Sequence, residues 1–335
     1  MNKQSEIASF YESYRDYFSI GTCLEPRDLA TYDNILRKHF NSLTAENCMK
    51  PASLQPEEEE FNFKQADKII EFADKHNKKV RGHTLVWHNQ TPDWFFENKS
   101  GSPVNKGKLL ERMKNHIDKV VNHFGDKIYC WDVVNEAVAD NGPDIYRQSK
   151  WYDLAGKEFI ELAFKNTAEI APEGTALFYN DYNAVQPHKR DKIISLLQDL
   201  MNKEVPVDGI GIQGHWNIED FAVENIKIAI EKYAELGLDV HITELDISMF
   251  SFKDKRKIDA PTPEMQEKQN KMYREIFQVF REYSSTISNI TLWGIADDNT
   301  WLDNFPVKNR KNWPLLFDVN HKPKDVLVEI INDAE

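Results

Sequence analysis

The chain has 335 residues, 41% of them hydrophobic, and a formal net charge of −13. That length can bury one large core or two smaller ones. The acidic balance argues against a nucleic-acid or anionic-membrane surface, because phosphate binding needs clustered Lys and Arg; a neutral substrate fits better, although excess acid also simply keeps a protein soluble.

Residues Met1 to Phe10 carry no apolar stretch of signal-peptide length, and no later segment approaches a membrane span. Cys23, Cys48 and Cys130 form an odd set without metal-type spacing, each in or beside a predicted strand. These features predict a cytoplasmic protein with no membrane partner.

Periodicity predicts a strand over Phe18–Leu24, a helix over Ala30–Phe40, a strand over Ser42–Glu46 and a helix over Lys64–His76. Further strands are predicted over Val80–Trp87, Ile128–Asn135, Ala176–Asn180, Gly209–Gln213, Val240–Glu244 and Ile290–Ile295. Between them, apolar residues at i, i+3 and i+4 predict helices over Leu109–Phe124, Leu154–Ala168, Lys189–Met201, Ile226–Leu236 and Glu264–Tyr283, with a last one over Lys324–Asn332. Eight strands, each followed by a helix and with no Gly/Ser-rich linker, predict α/β architecture: a single (β/α)8 TIM barrel forming one domain over 1–335. The acidic run Glu57 to Glu60 reads as a solvated approach to a helix.

In such a barrel the strand-to-helix loops form the active face. From the second strand onward, every strand finishes in polar or aromatic residues: Glu46 and Asn47, then Trp87 to Gln90, Asn135 and Glu136, Asn180 to Asn183, Gln213 and His215, Glu244 and Asp246, and Trp293 to Trp301. Aromatic faces and hydrogen-bonding side chains together suit a carbohydrate, which offers apolar CH faces and a rim of hydroxyls. Glu136 and Glu244 each end an apolar run, and two carboxylates facing one cleft suggest glycosidic-bond cleavage. The competing metal reading draws on His83, His88, His215 and His241, but no strand holds an HxH pair and no helix an HExxH, so neither metal nor cofactor is expected.

Six ordered motifs carry a resemblance: Thr44-Ala-Glu-Asn-Cys-Met-Lys50, Arg81-Gly-His-Thr-Leu-Val-Trp-His88, Trp131-Asp-Val-Val-Asn-Glu-Ala137, Phe178-Tyr-Asn-Asp-Tyr-Asn183, Ile242-Thr-Glu-Leu-Asp246 and Trp293-Gly to Trp301. Together they resemble glycoside hydrolase family 10, the endo-β-1,4-xylanases, and its leaderless intracellular branch. Gly214 stands where the family pattern has alanine, which is expected to loosen the strand beside His215.

The resemblance implies a retaining double displacement on xylan or xylo-oligosaccharides. Glu244 would be the nucleophile and Glu136 the acid/base, with carboxyls about 5 to 5.5 Å apart and facing each other from opposite strands of the barrel. Asn135 would bond the sugar 2-hydroxyl; His215, oriented by Asp246, would hold Glu244. Glu46, Asn47, Lys50, His83, Trp87, Gln90, Trp293 and Trp301 would line the glycone side, Tyr182 and Asn183 the first aglycone position, and Gln213 is a weaker binding candidate. Bulky Trp293 and Trp301 would admit xylose and clash with the hydroxymethyl group of hexoses. A β-glucanase or β-mannanase on the same barrel, a catalytically silent carbohydrate-binding barrel and a metal-dependent hydrolase are the alternatives. Oligomeric state, monomer or homodimer, is open.

Overall fold

The computed structural model describes residues 7–220 and 222–334. Met1–Glu6, which make up most of the stretch read above for a signal peptide, Phe221 and Glu335 lie outside the described residues, as do those ends of the predicted 1–335 domain.

Among the described residues nine strands form: β1 (Ser19–Leu24), β2 (Ser42–Ala45), β3 (Lys79–Trp87), β4 (Ile128–Asn135), β5 (Ala176–Asp181), β6 (Gly209–Ile212), β7 (His215–Asn217), β8 (Asp239–Ser248) and β9 (Ile287–Leu292). All pairings are parallel; β1 to β6 run in order, β6 pairs β8, β8 pairs β9 and β9 returns to β1, so eight strands close a (β/α)8 barrel. The remaining strand, β7, is a three-residue spur on the outer half of β8, with His215 opposite Asp246. The strands bearing Glu136 and Glu244 stand three places apart around the eight, across the lumen but not diametrically opposed.

Barrel strands are covered on both faces, so they are almost wholly buried. The helices outside are amphipathic: Lys106–Phe124 turns Leu109, Met113, Ile117, Val120, Val121 and Phe124 inward. Its start is set by Asn105, whose side chain accepts from the Lys108 amide, a cap worth about 1 kcal/mol.

Boundaries differ from the sequence reading where single residues break the regular backbone. The helix predicted over Ala30–Phe40 is interrupted at Tyr32, giving Asp28–Thr31 and Asp33–His39. The one predicted over Leu154–Ala168 splits at Gly156, whose φ of +62° no helix interior permits, into Lys150–Ala155 and Glu158–Ile170. The last barrel strand begins three residues early, at Ile287, because buried Asn289 bonds Thr291 Oγ1 and so sits in the barrel despite its polarity. The acidic run is not uniformly solvated: Glu58 accepts two bonds of 2.7 Å from Arg112.

The lumen is polar at mid-height. Arg81 on β3 is fully buried, bonds Asp132 on β4 through Nε at 3.2 Å, and contacts His241 on β8 across the barrel. Asp132 also accepts from His83 Nδ1 at 2.9 Å, so the buried arginine has its counter-charge and the carboxylate holds one face of His83.

Candidate active site

The strand ends bring Glu136 and Glu244 into one hydrogen-bonded group. Glu136 follows β4 with φ +57°, a left-handed conformation uncommon for a non-glycine residue, which turns its carboxyl out of the strand direction. The backbone there is held from three sides. The Glu136 amide donates to the Asn180 carbonyl at 2.9 Å, Arg147 Nε donates to the Glu136 carbonyl at 2.8 Å, and the amides of Ala137 and Val138 both donate to the Tyr179 hydroxyl. The carboxyl then accepts from Trp87 Nε1 at 2.9 Å on one oxygen and from Gln213 Nε2 at 3.0 Å on the other. His88 Nδ1 stands 3.9 Å away; burial, aided by the Arg147 charge, lowers its pKa to about 4, so the imidazole is neutral at ordinary pH.

Glu244 projects from the middle of β8 and is 5% exposed. One oxygen accepts from Asn180 Nδ2 at 2.8 Å and the other pairs with His215 Nε2 at 3.1 Å. Burial by itself raises a carboxyl pKa, but His215, His83 and Asn180 outweigh it here and hold Glu244 below the usual carboxylate range. His215 in turn has Nδ1 3.0 Å from Asp246 Oδ2. Burial opposes its protonation, yet Asp246 and Glu244 together push its pKa up to about 10, so the pair presents an imidazolium to an ionised carboxylate.

His215 reaches this position through Gly214. The residue has φ +80°, so it does not loosen a continuous strand; it turns the chain from β6 into β7, and a β-carbon there would also sit 3.2 Å from Ile242 Cγ2.

Around the carboxylates the sequence-identified residues fall in two sets. Lys50 is 5% exposed, donates to Asn47 Oδ1 at 3.1 Å and lies 4.9 Å over the Trp87 ring; burial lowers its pKa against the opposing pull of Glu244 and Glu46. Burial and Glu25 raise that of Glu46, which lines a cavity with Cys23, Tyr32, Asn299, Trp293 and Trp301. His83 packs edge-on to Trp293 at 5.4 Å, and Trp301 Nε1 donates to Asp246 at 2.8 Å. Asn135 sits beside Asn180, with amide atoms 2.9 Å apart. Tyr182 accepts from Arg147 at 2.6 Å, which ties it to the Glu136 backbone.

Gln90 and Asn183 stand apart from this group. Both are exposed at positive φ, 46° and 54°, on the rim; the Gln90 carbonyl accepts from the Ala52 amide at 2.8 Å. The four histidines weighed for a metal are engaged by protein groups: His83 by Asp132, His88 near Glu136, His215 by Glu244 and Asp246, and His241 by Ser288 and Arg81.

Three site residues had no role assigned from sequence. Asn180 lies inside a quoted motif, and its polar side chain at a buried strand end was the available signal. Arg147 and Asp140, in the loop after β4, belong to no motif, and only folding shows that they reach Glu136 and Tyr182.

The sequence matches the glycosyl hydrolase family 10 model over residues 9–333. The chain belongs to that family. It is 51% identical to an endo-1,4-beta-xylanase A of Caldicellulosiruptor saccharolyticus, over 96% of this chain and 95% of the relative. It is 50% identical to an endo-1,4-beta-xylanase of Geobacillus stearothermophilus, over 98% and 99%. Its fold superposes on the crystal structure of xylanase XynB from Paenibacillus barcinonensis with a TM-score of 0.96 at 48% identity, covering 98% of this chain and 99% of that one. Family membership makes this glycoside hydrolase an enzyme of the (β/α)8 class.

Proposed function

We propose that this family 10 enzyme is a retaining endo-β-1,4-xylanase acting on xylan-derived oligosaccharides, with the described barrel as its one catalytic domain. The observation that carries the reading is the unequal setting of the two carboxylates. Glu244 is bonded by an imidazolium and an amide that favour its ionised form, as a nucleophile requires, whereas Glu136 is oriented by two neutral donors, Trp87 and Gln213. The relatives named as xylanases supply the substrate class.

In the first step Glu244 attacks the anomeric carbon while Glu136 delivers a proton to the departing glycosidic oxygen. The positive charge that develops on the sugar ring faces the Glu244 carboxylate. In the second, Glu136 takes a proton from water, which attacks the same carbon and releases the Glu244 ester. Asn135, beside Asn180, reaches the sugar 2-hydroxyl; Glu46, Asn47, Lys50, His83 and Trp87 bind the glycone side, with Gln90 on its rim, and Trp293 and Trp301 crowd C5 of the sugar. Tyr182 and Asn183 receive the aglycone.

The three cysteines are buried and unpaired, which suits a reducing compartment and supports work inside the cell on imported oligosaccharides. None of the described helices is long and apolar enough to cross a membrane.

Early-time proton NMR with linear xylopentaose, alongside cellopentaose and mannopentaose, tests the reading. Internal cleavage of the xylo-oligomer with the β-anomer formed first is expected. An α-anomer first would overturn retention, preferential cleavage of another oligomer would move the substrate, and no cleavage would favour a silent sugar-binding barrel.

A further inference from the structure

Among the described residues, four large apolar side chains are well exposed: Met201, Phe252, Phe305 and Val319. The two aromatic ones are neighbours. Phe252, in the loop after β8, meets Phe305, in the loop after β9, edge-on at 5.3 Å, and they are 61% and 45% exposed. Phe305 in turn stacks on the Trp301 indole, with centroids 5.1 Å apart and planes 20° off parallel.

Trp301 is thereby held on three sides. Its Nε1 donates to Asp246, His215 lies 4.9 Å from its ring, and Phe305 covers it along the stack. The two loops are also tied to each other: buried Arg310 donates to the Asp254 carbonyl at 2.6 Å and lies 4.3 Å over Phe250, while Lys257 donates to the Lys308 carbonyl at 2.8 Å. Arg310, within the basic run Lys308 to Lys311, therefore contributes a buried cross-brace between them.

We infer that Phe305, backed by Phe252, is a positioning residue that fixes Trp301 against the sugar and so sets discrimination between pentose and hexose units. An indole excludes a hydroxymethyl group only if it cannot swing aside, and a side chain held by one hydrogen bond at its nitrogen retains that freedom. The stack removes it. Two phenyl rings left in water at the cleft edge gain little for folding, since an exposed ring forgoes most of its burial energy, but they stiffen the wall they touch. This inference rests on the proposed assignment of xylosides as substrates and adds the residues that enforce it.

The test measures kcat/KM on an aryl β-xylobioside and the matching β-cellobioside for the parent enzyme and for Phe305→Ala, Phe305→Tyr and Phe252→Ala. The preference for xylobioside is expected to fall roughly three- to tenfold in Phe305→Ala, less in Phe252→Ala, and to stay at the parent value in Phe305→Tyr, which keeps the ring. A merely structural role would lower both substrates together and leave the ratio alone. A parent enzyme that prefers xylobioside, with a ratio unchanged in both alanine variants, would overturn the brace alone. A parent that cleaves both substrates equally well would overturn the substrate assignment, and the brace with it.

Discussion

Arg147 Nε donates to the main-chain carbonyl of Glu136 at 2.8 Å, and the same guanidinium reaches Asp140 at 3.1 Å and the Tyr182 hydroxyl at 2.6 Å. One side chain therefore links the backbone of the proposed acid to Tyr182, the proposed aglycone wall. The left-handed φ of Glu136 costs about 1–3 kcal/mol and persists only while its surroundings enforce it. Arg147→Ala is expected to reduce kcat about tenfold or more on unactivated xylosides and distinctly less on substrates with acidic phenol leaving groups. Arg147→Lys should restore little, since an ammonium cannot reproduce the planar fork. Equal losses on the two leaving-group classes would show that Arg147 does not act through the acid.

Glu244→Ala should remove essentially all turnover, because no other carboxylate in the group is placed to form the ester. Glu136→Ala should spare activated aryl glycosides far more than natural xylosides. Steady-state kinetics over a series of leaving groups checks both; a Glu136→Ala rate independent of leaving-group acidity would remove it from the protonation step.

Asp246 and Glu244 hold the His215 pKa at about 10, against an unfolded value of about 6.5, despite burial. A folded pKa above the unfolded one contributes stability that is complete below about 6.5 and is lost as pH rises through about 10. Asp246→Asn removes the larger of the two raising partners. The variant should melt below the parent at pH 6 to 7, the gap should narrow as pH approaches 10, and the alkaline limb of its kcat profile should move to lower pH. A melting difference constant from pH 6 to 10 would contradict an imidazolium at this position.

Gly211 makes room for Asn180: a β-carbon there would stand 2.1 Å from Asn180 Oδ1 and 2.9 Å from Thr243 Cγ2. Gly211→Ala should therefore displace the amide that bonds Glu244, lower kcat and cost about 1–3 kcal/mol of stability by overpacking. Combined with Asn180→Ala, it should cost no more activity than the worse single change, since both act on one contact. Additive losses would place the effect of Gly211 elsewhere.

The acidic run offers a stability comparison. Glu58 forms the two-pronged pair with Arg112, which is 8% exposed and also donates to the carbonyls of Phe95 and Glu97. Glu58→Gln should lower the melting temperature by an amount corresponding to about 1 kcal/mol, and Glu57→Gln by almost nothing, with activity unchanged in both. Matching melts for the two variants would return the whole run to solvent.

Most of the barrel was legible because each strand is an apolar run and each helix a period-3.6 stripe, patterns that local sequence displays directly. The misplacements have local causes that composition hides: Gly156 in the first turn of an apparently continuous helix, Asn289 buried inside a strand, and Gly214 read as a loosened strand when its positive φ makes a corner. The candidate carboxylates were visible from their place at strand ends, where packing gives no reason for a charge. Asn180 was visible as a residue but not as a partner, and Arg147 was invisible, because nothing in a loop sequence says how far a guanidinium reaches.

By itself, the sequence determined the eightfold alternation, the strand ends that bear the candidate carboxylates, and the family motifs, since these depend on residue type and short-range order. Only the tertiary structure decided that Glu244 lies between an imidazolium and Asn180 while Glu136 lies between an indole and a glutamine, and that two exposed phenylalanines stack against Trp301. The physical reason is that ionisation and orientation are set by groups within about 3 to 4 Å, and closing the barrel brings those groups together from strands far apart in the chain.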